Sequence, residues 1–193
     1  MKPVPTIELE TEACGTLLEI WATARGDAVM PRRSDIHAGL LKAIMPQVAI
    51  IAIPAPGITE IRLAGTAYRD IFGFETTSQN LIDITLPEVR RVRAYRFWTG
   101  VTWPCAGWAI LSFPYSQGTS DRFEFLALPL NANAPDQPRM MLCAIGSVLG
   151  RQWKNERQAQ AIAGPAERFG FADIGAGVPP SPNPPANFAI GTH

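Results

Sequence analysis

The hydrophobic period changes at Pro46, and that change constrains the fold more than any single residue does. Upstream, within ELETEACGTLLEIWATAR (8–25), Cys14, Leu17, Leu18 and Trp21 recur at helical spacing, with glutamates leading where the helix dipole favours them. PRRSDIHAGLLKAIMP then offers Ser34 or Asp35 as an N-cap, with Ile36, Leu40, Leu41 and Ile44 as apolar positions, so a second helix is expected up to Ile44. Downstream, VAIIAIP and ITEIRLAG are β-branched runs joined by Ala55-Pro56-Gly57, the pattern of a hairpin. In the second run Thr59, Ile61 and Leu63 alternate onto one face, while Ile58 falls out of phase.

Short helical pieces are expected at 66–72 and near 79–84, with Gly73 as a left-handed C-cap. PEVRRVRAYRFWT (87–99) reads as a longer helix with proline in its first turn, where the missing N–H costs nothing. Three strand candidates follow at 106–116, 121–132 and 139–149, the middle one alternating Phe123, Phe125 and Ala127. This order specifies an α+β fold built on one antiparallel sheet. The chain divides into a helical flank (1–46), a central domain (47–149), an amphipathic piece with Trp153 (150–163) and a tail (164–193). The tail contains VPPSPNPP and is expected to be mobile, having too little apolar surface to offset chain entropy.

Composition narrows the function classes. Lys plus Arg and Asp plus Glu number 17 each, so no net basic charge recruits nucleic acid or an anionic membrane. Cys14, Cys105 and Cys143 form no CxxC pair, which points to neither a disulfide framework nor a zinc site. The opening residues MKPVPTIELETEACG lack the apolar core of a signal peptide. The longest apolar run, VAIIAI, is far short of the roughly 20 residues that span a bilayer. The expectation is a cytoplasmic protein with reduced thiols and no membrane contact.

The order strand, strand, short helices, longer helix, three strands resembles a PAS domain over residues 47–149. Trp21, Arg25, Pro31, Arg33, Asp35, Leu41 and Pro46, followed by Arg62-Leu63-Ala64-Gly65-Thr66 and Phe72-Gly73, are similar to a family of stand-alone bacterial PAS proteins of the alphaproteobacterial type. His37 stands where that pattern has proline, and the tail lies outside it. The resemblance implies a five-stranded antiparallel sheet with helices on one face, preceded by N-terminal helices. It also implies a pocket between sheet and helices.

Several pocket chemistries are disfavoured. A haem sensor of this fold takes an axial histidine from the long helix, but residues 87–103 contain none and the two histidines are His37 and His193. A photoadduct-forming flavin sensor needs a cysteine after the second strand, and residues 66–84 contain none. An unknown small molecule, or no ligand, remains. Tyr68, Phe72, Trp98, Trp108, Phe123 and Phe125 are the aromatic pocket candidates, each also able simply to fill the core. Arg62 would either pair with Glu60, Asp70 or Asp83, or hold an anionic group. Arg90, Arg91, Arg93 and Arg96 form either a solvated helix face or an anion- and phosphate-binding surface, with nucleic acid the weaker form of the latter.

No catalytic motif and no metal-ligand cluster is present. The functional expectation is a non-enzymatic sensory or regulatory PAS protein that binds a small molecule or a protein partner, with the N-terminal helix as a homodimer surface. Its alternatives are a purely structural interaction module with a self-filled pocket, and a small pocket enzyme using a carboxylate base.

Overall fold

Every residue of VAIIAI (48–53) is buried, because both faces of the sheet it joins are covered. The computed structural model describes residues 4–114, 120–134, 136–149 and 163–191. Its elements are α1 (Glu12–Arg25), β1 (Val48–Ala55), β2 (Ile58–Ala64), α2 (Thr66–Phe72), α3 (Pro87–Thr102), β3 (Ala106–Pro114), β4 (Ser120–Leu130), β5 (Arg139–Ser147) and β6 (Ala166–Ala172). The strands form one antiparallel sheet in the order β2-β1-β5-β4-β3-β6. The α+β class and the antiparallel sheet are as the sequence specifies, with a sixth strand added.

Alternation along the strands separates two cores. On one face Ile51, Phe113, Phe123, Met141 and Ile145 pack with Tyr68 and Phe72 of α2 and Phe97 of α3. On the other, Ile50, Leu126, Leu128 and Leu142 pack under Cys14, Leu17, Leu18 and Trp21 of α1. Burial of each large α1 side chain contributes about 2 kcal/mol. The apolar stripe of α1 is thereby used on the chain's own sheet, so it is not available as the dimer surface that the sequence suggests.

A buried carboxylate fixes where α1 begins. Glu124 of β4 is fully buried and accepts hydrogen bonds from the N–H groups of Glu10 (2.7 Å) and Thr11 (2.9 Å) and from Thr11 Oγ1 (2.6 Å). Its negative charge lies at the positive pole of the helix. Opposite Glu124 in the ladder stands Gly146, where a Cβ would come within 2.4 Å of Thr11 Oγ1.

The residues that carry the family resemblance have structural tasks. Trp21 Nε1 donates to Pro129 O (2.9 Å), and Arg25, stacked 5.0 Å from the Trp21 ring, donates to Ile174 O (2.8 Å). Arg33 N–H donates to Asn131 O (2.9 Å), and Asn131 N–H to Pro31 O (2.9 Å), which ties the N-terminal flank to the end of β4. Gly65 passes under the turn at Met45–Gln47, and a Cβ there would lie 2.2 Å from Met45 O. Gly73 ends α2 at φ 77°, the left-handed cap expected of it.

Besides the piece expected near 79–84, which forms turns with the Asp83 N–H bonded to Asn80 O and no helix, three expectations differ from the structure. Residues 36–44 form successive turns with i→i−3 bonds, Leu40 N–H to His37 O and Ile44 N–H to Leu41 O, and no α-helix. The segment is pinned at Asn131 and again at Gly65, and turns span the distance between. In β2 the ladder pairs Ile50 with Leu63 and Ile51 with Ile61, which makes Arg62 the extra residue of a bulge. That residue shifts the alternation, so Thr59 and Ile61 are buried while Leu63 is exposed.

The third difference is the tail. Residues 166–172 form β6 on the free edge of β3, and 173–191 dock on the body instead of standing free. The amphipathic piece expected at 150–163, with Trp153, lies outside the described residues except for Ala163, which bridges to Thr85.

Glu124→Gln, which turns an amide donor toward donors already present, is expected to destabilise the fold by about 2 kcal/mol. Gly65→Ala is expected to cost at least about as much through the backbone clash. Urea denaturation measures both, and wild-type midpoints would contradict these assignments.

Candidate ligand cavity and its arginine rim

A cavity of about 400 Å³ lies between α3, α2 and the sheet face formed by β3, β4 and β5, with β6 closing its side. That volume is in the range of small-molecule sites. Phe72, Phe97, Leu111, Phe113, Phe125 and Met141 supply much of its apolar wall. The β3 and β4 residues reach it because alternate side chains point to the helical face, and α3 presents Val89, Val92, Arg93, Arg96 and Phe97 at helical spacing.

The candidates read from the sequence divide. Tyr68, Phe72 and Phe125 line the cavity. Phe123 belongs to the same core but sits behind Phe113, ring centroids 5.1 Å apart, and does not line it. Trp108 borders the cavity, yet its side chain packs with the α1-side core and its ring carries the Arg168 guanidinium at 5.1 Å. Trp98 is outside the lining and faces Arg139 at 5.7 Å. Arg62 is an exposed member of a surface pair with Glu60 (2.7 Å), so of its two sequence readings the carboxylate pair is the one the structure displays. Such an exposed pair contributes little stability.

The four arginines of α3 do not share one surface. Arg90 donates to Thr85 O (2.9 Å) and Asp83 O (2.8 Å), which ties α3 to the preceding turn. Arg91 donates to the carbonyls of Pro185, Ala186 and Phe188. Arg96 Nε donates to Pro182 O (3.1 Å), and its guanidinium lies 3.9 Å from the Phe169 ring centre. Arg93 donates to Thr85 Oγ1 (3.0 Å) and Gly164 O (2.6 Å). The chemistry is complementary, since a proline-rich chain carries carbonyl acceptors but few N–H donors, and guanidinium supplies donors in a fork. Tyr95 adds an aromatic contact with Phe188 at 5.2 Å.

Electrostatics at the rim are one-sided. Burial, then the neighbouring charge of Arg96, hold Arg93 down at about 10, and burial also lowers Arg96. Among the described residues neither is within salt-bridge distance of a carboxylate. Burial pushes the Tyr68 phenol well up, so it remains a neutral donor, and its buried hydroxyl has no hydrogen-bond partner among the described residues. Cys14, Cys105 and Cys143 are free and buried, their thiols raised by desolvation. No group of three metal-ligating side chains is present among the described residues. No described helix is long and apolar enough to cross a membrane.

Sequence reasoning missed the cavity wall formed by Pro165, Ala166, Phe169, Phe171 and Asn183. The signal was available in Phe169-Gly170-Phe171, a strand alternation set in a Gly/Pro-rich context. A family model for the PAS domain matches residues 9–145. The chain belongs to the PAS domain family. That match takes in α1 and β1 to β4 and most of β5, and it ends before β6, so one wall of this PAS cavity comes from beyond it. No curated protein matches the chain.

Arg91→Ala removes the side-chain donor of three C-terminal carbonyls, of which Pro185 O keeps the Phe188 N–H. Backbone exchange at 183–191 is expected to quicken by about five- to ten-fold, the equivalent of about 1 kcal/mol. Unchanged exchange, read by hydrogen–deuterium mass spectrometry, would show that the segment docks without the arginine.

Proposed function

We propose that this PAS protein is a sensory and regulatory module that holds a small molecule in the cavity and acts without catalysis. The observation that carries the reading is the cavity itself, a space of about 400 Å³ left unfilled by the surrounding aromatic side chains. Its described lining contains no Asp, Glu, His, Cys, Ser or Thr, so the alternative of an enzyme with a carboxylate base has no base there. The family supports a role in signalling, and the likeness to stand-alone bacterial PAS proteins supports action through a protein partner. Buried, free thiols fit a reducing cytoplasmic setting.

Occupancy would be communicated through the wall that the C-terminal segment provides. A ligand touching Phe169, Phe171 and Asn183 favours the docked arrangement of that segment over an undocked one. Only this difference in affinity between two states can shift the equilibrium. The output would be a contact made, or withheld, by the segment and the α3 surface beneath it.

The competing module with a self-filled pocket predicts opposite behaviour in one variant. Ala109 of β3 is buried and lines the cavity. If the space is a ligand site, Ala109→Leu fills part of it, leaves stability unchanged or raises it by up to about 1 kcal/mol, and abolishes ligand-induced stabilisation. In the wild type a ligand at a hundred times its Kd is expected to add about 2.7 kcal/mol, roughly 5–10 °C in Tm. A loss of about 1–3 kcal/mol in the variant, as overpacking gives, with no thermal shift from a small-molecule library, would overturn the ligand reading.

A further inference from the structure

The chain is electrically balanced, yet the cavity is not. Its described lining includes two arginines and no acid. The remaining polar side chains along it are Tyr68 and Asn183, since the Trp108 side chain packs on the other face of the sheet. A nucleotide or sugar would require a set of donors and acceptors distributed around the wall, and the phenylalanine, leucine and methionine surface offers none. Charge without counter-charge at one end, and apolar surface elsewhere, is the complement of an amphipathic anion.

The two guanidiniums differ in what they can still bind. Both terminal nitrogens of Arg93 are engaged, one with Thr85 Oγ1 and the other with Gly164 O. Arg96 uses only Nε, on Pro182 O, and its two terminal nitrogens have no acceptor among the described residues. Stacking on Phe169 fixes the plane of that guanidinium at the edge of the cavity. One open, oriented fork beside a second positive charge matches the two oxygens of a carboxylate. A phosphate head, with a third oxygen and a second charge, would leave part of its hydrogen-bonding capacity unmet here.

Resting on the reading of the cavity as a ligand site, the geometry points to an apolar monocarboxylate as its ligand class. The carboxylate lies against the Arg96 fork and is balanced by Arg93, and the hydrocarbon body extends between α3 and the sheet toward Phe72 and Phe113. Burial, and then the neighbouring charge of Arg96, disfavour the Arg93 cation, and an entering anion offsets both. The uncommitted hydroxyl of Tyr68, buried at the α2 side, would favour a ligand with a polar substituent along its body. Because Arg96 also holds Pro182, the same guanidinium links the ligand's head to the docked C-terminal segment.

The test compares decanoate, decan-1-ol, decyl phosphate and inorganic phosphate on the full chain by isothermal titration calorimetry, with wild type and Arg96→Gln. Decanoate is expected to bind about ten-fold or more tightly than decan-1-ol, as a charge-assisted fork requires. Arg96→Gln is expected to cost decanoate about ten-fold more than it costs decan-1-ol, so that the ratio falls toward one even where release of Pro182 weakens both. Loss of acid and alcohol by the same factor, with the ratio unchanged, would overturn the assignment of Arg96. Decan-1-ol binding as tightly as decanoate in the wild type would overturn the anion, yet leave the cavity as a ligand site. Tighter binding of decyl phosphate would overturn the carboxylate head, and binding of inorganic phosphate alone at comparable strength would overturn the apolar body. No binding by any ten-carbon probe would count against the cavity reading and this inference together.

Discussion

Hydrogen bonds from the α3 guanidiniums to carbonyls of a proline-rich chain are the interaction on which the candidate site depends. Arg91, Arg93 and Arg96 together reach Gly164, Pro182, Pro185, Ala186 and Phe188. They flank β6 on both sides in sequence. With β6 in place, β3 has a hydrogen-bonded neighbour on its otherwise free edge, and Phe169 and Phe171 complete the cavity wall. Without it the same face would be an open groove at a sheet edge. The residues matched by the PAS family model supply the floor and roof, and the segment beyond them supplies the side.

The opposite face of the sheet has a different role. There α1 is held by apolar burial and by Glu124, whose carboxylate serves the chain just ahead of the helix. Arg25 then connects α1 to Ile174, immediately after β6, so the N-terminal flank also helps place the C-terminal segment. The end of α1 and the residues just after β6 thus meet at Arg25. A signal that displaced the segment would be felt at α1 through Arg25 as well as at α3.

Legibility in the sequence followed the strength of local pattern. The helix beginning at Pro87 and the strand pairs around Phe123 and Phe125 were readable because period, proline placement and alternation agreed there. The bulge at Arg62 was invisible because it depends on register with Ile50 and Ile51. β6 was missed because composition around Phe169-Gly170-Phe171 suggested a loose chain, and its stability comes from pairing with β3 and from arginines some seventy to ninety positions away. Of the pocket candidates, Tyr68, Phe72 and Phe125 face the cavity because their elements orient them inward, whereas Trp98 packs on the same core outside the cavity lining and the Trp108 side chain lies on the other face of the sheet. Arginines and prolines each looked like solvent-exposed features in isolation. Together they account for one another.

The most direct measurement is the mass of the freshly purified full chain, recorded under native and then denaturing conditions, with extraction and identification of whatever is released. An extra mass is expected in the native spectrum, lost on denaturation in near-stoichiometric amount and recovered as one small, largely apolar molecule. A bare chain under both conditions that also gains no mass after incubation with a lipid-soluble cell extract would contradict it.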